Sequence, residues 1–171
     1  MILIVGFVII CLVISAILWF LIDVMFFHIT APFLFEAVLN LGTIHRLLRE
    51  LNEAEEFYRK AWNIASSMKD FDRESLAKIH LAICLLDRGE LKQAIDTYFK
   101  PLMVFKATLK PHTRALFLQH YGNACRSAAD WGKAKEYLRE ALDLAEEVRD
   151  VGLVSSCCGD LGNVFRSEGR Y

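Results

Sequence analysis

His80 and His120 are the side chains of this 171-residue chain with the most obvious capacity for proton transfer or metal binding, and they stand forty residues apart. In a helical array of units that length, such a spacing separates them by about one repeat, roughly 20 Å. A shared metal is therefore not expected, and both read as partly buried helix residues. The five cysteines (Cys11, Cys84, Cys125, Cys157 and Cys158) form no Cys-x-x-Cys pair. Cys157 and Cys158, adjacent on a helix, point about 100° apart, which suits neither a common metal nor a bridge. They read as small buried residues in a reducing compartment. No zinc-protease His-Glu-x-x-His, nucleophile elbow, Walker loop or Gly-x-Gly-x-x-Gly occurs, and Gly159-Asp160-Leu161-Gly162-Asn163 lacks the Lys and Ser/Thr that would cradle a phosphate. The chain is not expected to be an enzyme or to need a cofactor.

A second set of polar residues recurs more regularly. Thr43 and Arg46, Asn123 and Arg126, and Asn163 and Arg166 are each three apart, hence on one helix face, and the pairs return in one phase. The second unit places Ile83 and Leu86 at these positions, beside Leu76 and Ile79, as an apolar anchor pocket or as core. The polar members either face a bound segment or cap turns and pair with Glu and Asp of neighbouring units.

The elements that position them follow a step of forty. Leu41-Gly42, Leu81-Ala82, Tyr121-Gly122 and Leu161-Gly162 fall in register, with Ala54, Ala94 or Ala134 thirteen residues after the first member of three of them. Small residues at those points, and alanines seven apart at Ala54 and Ala61 or Ala134 and Ala141, allow two antiparallel helices to approach closely. Short junctions recur at Thr30-Ala31-Pro32-Phe33, Asp70 to Arg73, Lys110 to Thr113 and Asp150 to Leu153. Pro32 and Pro111 suit helix starts, Asp70 or Asp72 can cap the helix after it, and Asp130 can cap at Trp131. The spacing predicts helices over 33–49, 51–68, 73–87, 91–108, 113–129, 131–149 and 153–169, with a left-handed turn at Gly89 and no strand. Pro101 stands where Ala61 and Ala141 stand in the other units, so its helix should kink or break near Asp96-Thr97.

From about Phe33 to Tyr171 the pattern resembles the tetratricopeptide repeat, and Tyr121-Gly122-Asn123 and Leu161-Gly162-Asn163 resemble its forty-residue Leu-Gly-Asn subclass. The resemblance implies an all-α, right-handed superhelix, an α-solenoid of helical hairpins, divided as 33–72, 73–112, 113–152 and a half repeat 153–171. It also implies that first helices line a concave groove, formed here by Thr43, Arg46, Ile83, Leu86, Gln119, Asn123, Arg126, Asn163 and Arg166. The partner would be a protein or peptide, acidic or mixed in charge, met by Asn amides and by charge-assisted Arg forks. Gln119, not a basic residue, precedes Asn123, so the carboxylate clamp of chaperone-binding members is not reproduced. The function implied is that of a non-catalytic scaffold.

Charge is unevenly spread. Of 21 acidic and 20 basic residues, only Asp23 precedes Glu36, so the remainder is formally neutral and nucleic acid is not an expected partner. Residues 1–29 form an apolar segment, and 1–27 suffice to cross a hydrocarbon core of about 30 Å. A cleaved signal peptide would want a basic start, and a buried solenoid helix would want small residues where Ile14 and Leu21 stand. A membrane-spanning helix is the reading carried forward, with the repeats cytosolic because His28, Arg46 and Arg49 follow it. The alternative is a wrongly joined start on a piece of a larger, cytoplasmic repeat protein. A second alternative is a membrane-embedded subunit that the repeats only dock. The halved last repeat suggests a fragment, or self-association through Leu161, Val164 and Phe165.

Overall fold

The computed structural model describes residues 2–169, with side chains from Ile14 onward except those of Ile22, Asp23 and Phe27. Among the described residues there is no strand. The helices are α1 (Ile2–Leu47), α2 (Leu51–Ser67), α3 (Phe71–Asp87), α4 (Leu91–Ala94), α5 (Lys100–Val104), α6 (Pro111–Ser127), α7 (Trp131–Glu147) and α8 (Val151–Ser167). Ile95–Phe99 forms a π-helical turn between α4 and α5, and a short 3₁₀ segment, Lys106–Thr108, follows α5.

Each hairpin closes where its sequence supplies a small residue. A Cβ added to Gly42 would lie 2.7 Å from the Tyr58 ring, and one added to Gly122 would lie 2.8 Å from Leu138 Cγ. Ala54, Ala61, Ala94, Ala134 and Ala141 are wholly buried in the same seams. Gly162, expected to act likewise, has nothing among the described residues within 4 Å of an added Cβ. Beyond the hairpins, α2 packs on α3, α3 on α6, and α6 on α8. First helices therefore lie side by side, which is the arrangement the recurring polar face requires.

Helix ends repeat every twenty residues, except at Leu109 after the irregular second hairpin. Arg49, Lys69, Gly89, Ala129, Arg149 and Gly169 all have positive φ, between 55° and 83°. At the first five of these ends the following amide bonds back five residues, as Glu50 N to His45 O or Asp130 N to Cys125 O, the hydrogen bond of a Schellman cap. Asp70, Asp130 and Asp150 then accept from the amides of Arg73, Lys133 and Leu153, opening the next helix. Asp72, the other candidate cap, instead receives Lys110 N and Thr113 Oγ1 across the next hairpin.

Two local expectations change. The connection expected at Thr30–Phe33 is helical, because α1 runs unbroken through Pro32 for 46 residues, about 69 Å at 1.5 Å each. Ala31, Phe35 and Leu39, four apart and buried, fasten that stretch to the hairpin, so packing outweighs the hydrogen bond the proline removes. Irregularity before Pro101 lies where expected, but its form is a π turn across Asp96 and Thr97. The turn adds one residue, so Leu102 occupies the buried site at 3% exposure and Pro101 faces solvent.

Candidate partner-binding face

The recurring polar residues sit on the packed first helices, and most are already engaged. Thr43 Oγ1 donates to Leu39 O and accepts from the Tyr58 hydroxyl. Arg46 Nη1 reaches Asp87 at 3.1 Å, at the carboxyl end of the next first helix. Gln119 Nε2 and Asn123 Nδ2 both donate to Asp160 Oδ2, at 2.9 and 2.7 Å. Among the described residues Arg126 makes only a long 3.5 Å contact, from Nε to Asn123 Oδ1. Ile83 belongs to the core at 8% exposure, Leu86 packs against that core, Asn163 is half-buried and Arg166 is exposed.

Asp87 and Asp160 complete this face, and neither was among the sequence candidates. A signal existed for Asp160, which continues the series Asn40, His80, His120 in steps of forty. Asp87 had none, since its counterparts are Leu47, Ser127 and Ser167.

Both histidines lie within this seam. Burial holds His80 neutral, with its pKa pushed down to about 3, and the nearby His120 and Arg46 lower it further. Burial likewise brings His120 to about 4 against the opposing pull of Asp160. His80 stacks on Tyr58 at 5.0 Å, and its Nδ1 is buried with no hydrogen-bond partner among the described residues. Among the described residues no three His, Cys, Asp or Glu side chains are placed to hold a metal ion. Cys84, Cys125 and Cys157 are buried thiols whose pKa burial raises to about 11, and Cys158 is exposed.

Residues 36–66, which run from α1 into α2, match a family model described as tetratricopeptide repeat. That stretch is similar to one tetratricopeptide repeat. Among solved structures it is similar to a kinesin-light-chain candidate of Podosopora anserina with nearly identical TPR-like repeats. The TM-score is 0.64 at 13% identity, over 79% of this chain and 67% of that one. A single-residue variant of the same protein gives 0.63 at 13% identity, over 79% and 66%. The chain thus spans about two thirds of those structures, and at that identity the likeness concerns the fold. No curated protein matches the sequence.

In these hairpins the second helices bear a further latch between neighbouring units. Arg88 joins Glu55 and the Leu51 carbonyl, while Lys135 joins Glu168 at 2.9 Å. Both pairs are thirty-three residues apart with their charges exchanged, and Ile95 and Ala128 hold the corresponding positions between them.

Proposed function

We propose that this tetratricopeptide chain is a non-catalytic scaffold for protein-protein interaction, taking a peptide or partner helix along the face of its first helices. The observation that carries the reading is a difference along that face. Arg46 is neutralised by Asp87, whereas among the described residues no carboxylate pairs with Arg126 or Arg166. Guanidinium groups left without an anion favour carboxylates of a partner, in forked, charge-assisted hydrogen bonds. The acidic part of the partner would then lie toward α6 and α8, and more neutral residues toward α1 and α3. The working units are 33–72, 73–112, 113–152 and 153–171.

An acidic dodecapeptide titrated by fluorescence anisotropy tests this. Arg126→Glu with Arg166→Glu should weaken binding at least tenfold, about 1.4 kcal/mol. Unchanged affinity in that double variant would reject the groove.

The apolar start supports a second component. Among the described residues one helical stretch, Ile14–Leu47, is long and apolar enough to cross a membrane, with mean hydropathy 1.9. Trp19, Phe20, Met25 and Phe26 are each more than 60% exposed there. We infer a single-pass anchor with cytosolic repeats, in which continuous α1 carries the bilayer segment directly into the first hairpin. If the apolar helix were instead the working part, deletion of residues 1–29 would abolish all partner association. Retained peptide binding by that remnant favours the scaffold.

A further inference from the structure

Contacts between hairpins line up one edge of the molecule. Arg73, near the start of α3, holds its guanidinium 5.8 Å from the Phe35 ring centre and 3.8 Å from Glu36 on α1. Lys110 N and Thr113 Oγ1, at the start of α6, donate to Asp72 of α3, and His112 Nε2 lies 3.1 Å from Asp150 ahead of α8. Phe33 of α1 and the starts of α3, α6 and α8 therefore stand in one row, beside the carboxyl ends of α2, α5 and α7.

Exposed apolar side chains collect on this row. Beyond α1, the large apolar residues exposed among the described residues are Phe71, Val104, Phe105 and Val151, and each of them lies on it. Val104 and Val151 are 77% and 80% exposed, and Phe105 stands edge-on to Phe71 at 5.7 Å. Phe33 and Leu34 extend the row from α1, whereas the opposite edge, among the described residues, exposes only Leu47 and Leu48, also of α1. Contiguous exposed apolar groups mark an interaction surface.

This edge is also where the apolar segment arrives. Because α1 is continuous through Pro32, Ile29 and Phe33 are separated by about 6 Å of helix. The headgroup layer outside a hydrocarbon core of about 30 Å is itself roughly 5–7 Å deep. A helix that leaves the core near Ile29 delivers the row into that layer, and a tilt of about 20°, usual for spanning helices, lowers one side of the row onto the lipid. Charge along the edge suits a zwitterionic surface, since Arg73 pairs with Asp70 at 2.6 Å and exposed Lys69 and Arg149 are offset by exposed Glu146 and Glu147. We propose that this edge, resting on the single-pass anchor inferred above, is a bilayer-contact surface. Phe71, Val104, Phe105 and Val151 enter the interfacial layer and hold the repeats against the membrane.

The full chain in phosphatidylcholine nanodiscs, with Cys11→Ser and Cys158→Ser and one introduced cysteine carrying a nitroxide, provides the test, because Cys84, Cys125 and Cys157 are buried. Power saturation compares access of oxygen, which concentrates in lipid, with that of a water-soluble nickel complex. Phe105→Cys and Val151→Cys should each give an oxygen-to-nickel ratio about threefold above that of Glu90→Cys on the opposite edge, and sites on separate hairpins guard against local disruption of either one. Ratios no higher than that of Glu90→Cys would overturn the proposal. Shielding from both reagents would overturn it too, because protein, such as a second copy, would then cover the edge. Ile17→Cys, at an exposed position of the apolar segment, separates the two readings. A label in lipid there, with the edge labels in water, would sink the edge and leave the anchor; a label in water there would overturn both.

Discussion

The second and third hairpins answer the same forty-residue spacing in different ways. In the third, α6 and α7 are unbroken, Gly122 receives Leu138, and Ala141 lies wholly buried at their crossing. In the second, α3 faces a helix divided into α4, a π turn and α5, and the crossing is filled by Leu102. A single register shift separates them, yet the core stays continuous. Phe99 stacks on Tyr121 at 5.3 Å, and Tyr121 on Tyr137 at 5.1 Å, so one aromatic column joins the two hairpins. The repeat specifies where large and small side chains must meet, and the backbone between them can absorb one residue.

The largest expected effects test that shift. Leu102→Ala and Leu138→Ala should each cost about 2–5 kcal/mol in urea unfolding, because each empties a buried leucine site. Pro101→Ala should change stability by less than about 1 kcal/mol, since that ring faces solvent. Were the register unshifted, as its alignment with Ala61 and Ala141 suggests, Pro101 would be the sensitive position and Leu102 the tolerant one. A reversed order of the two costs would therefore remove the π insertion from the account.

An intermediate effect distinguishes the hairpins by their histidines, since His80 lies on α3 and His120 on α6. An unfolded histidine takes a proton near pH 6.5, whereas the folded chain refuses one until about pH 3 at His80 and about pH 4 at His120. As pH falls through that interval the unfolded state binds more protons, so stability declines, by up to about 1.4 kcal/mol per pH unit for each group. Burial pushes Asp70 and Glu55 up, but Arg73 on the first and Arg59 with Arg88 on the second hold both below the ordinary carboxylate range, so they begin to contribute only at lower pH. Urea midpoints between pH 6.5 and 4.5 should drop for the native chain and drop about half as steeply for His80→Asn. An unchanged slope in the variant would mean that His80 titrates normally in the fold.

How much of this was legible depends on the range over which each feature is decided. Helix ends, the small residues at Gly42 and Gly122, and the caps at Asp70 and Asp130 are set within a few residues, so spacing alone located them. The irregularity before Pro101 was legible for the same reason, because a proline acts on the turn that precedes it. Its π form was not, since that depended on whether Pro101 or Leu102 would be buried, a matter of packing against α3 and α6. Continuity of α1 through Pro32 was hidden likewise, because Ala31, Phe35 and Leu39 supply the compensation only once α2 and α3 are in place. On the candidate face, the types and phase of Arg46 and Asn123 were readable. Their pairing was not, because Asp87 and Asp160 lie about one repeat away and only the lateral packing of first helices brings them within reach.

The smallest expected effect compares the two turns. Gly89 closes the first helix of the second hairpin at φ 83°, and Ala129 closes that of the third at φ 60°. The caps are otherwise alike, with Glu90 N bonding to Leu85 O and Asp130 N to Cys125 O. A left-handed alanine carries a steric cost of about 1–2 kcal/mol, and replacing it with glycine returns about 0.4–1 kcal/mol to the unfolded chain as entropy. Ala129→Gly should therefore stabilise by about 0.5 kcal/mol, and Gly89→Ala should destabilise by a similar or slightly larger amount. Nothing lies within 4 Å of a Cβ built on Gly89, so its penalty would be conformational and not a clash. Opposite signs in thermal unfolding would place the difference between these turns in backbone conformation alone. A stabilising Gly89→Ala would show instead that unfolded-chain entropy outweighs left-handed strain at these caps, and the same reasoning would then extend to Arg49, Lys69 and Arg149.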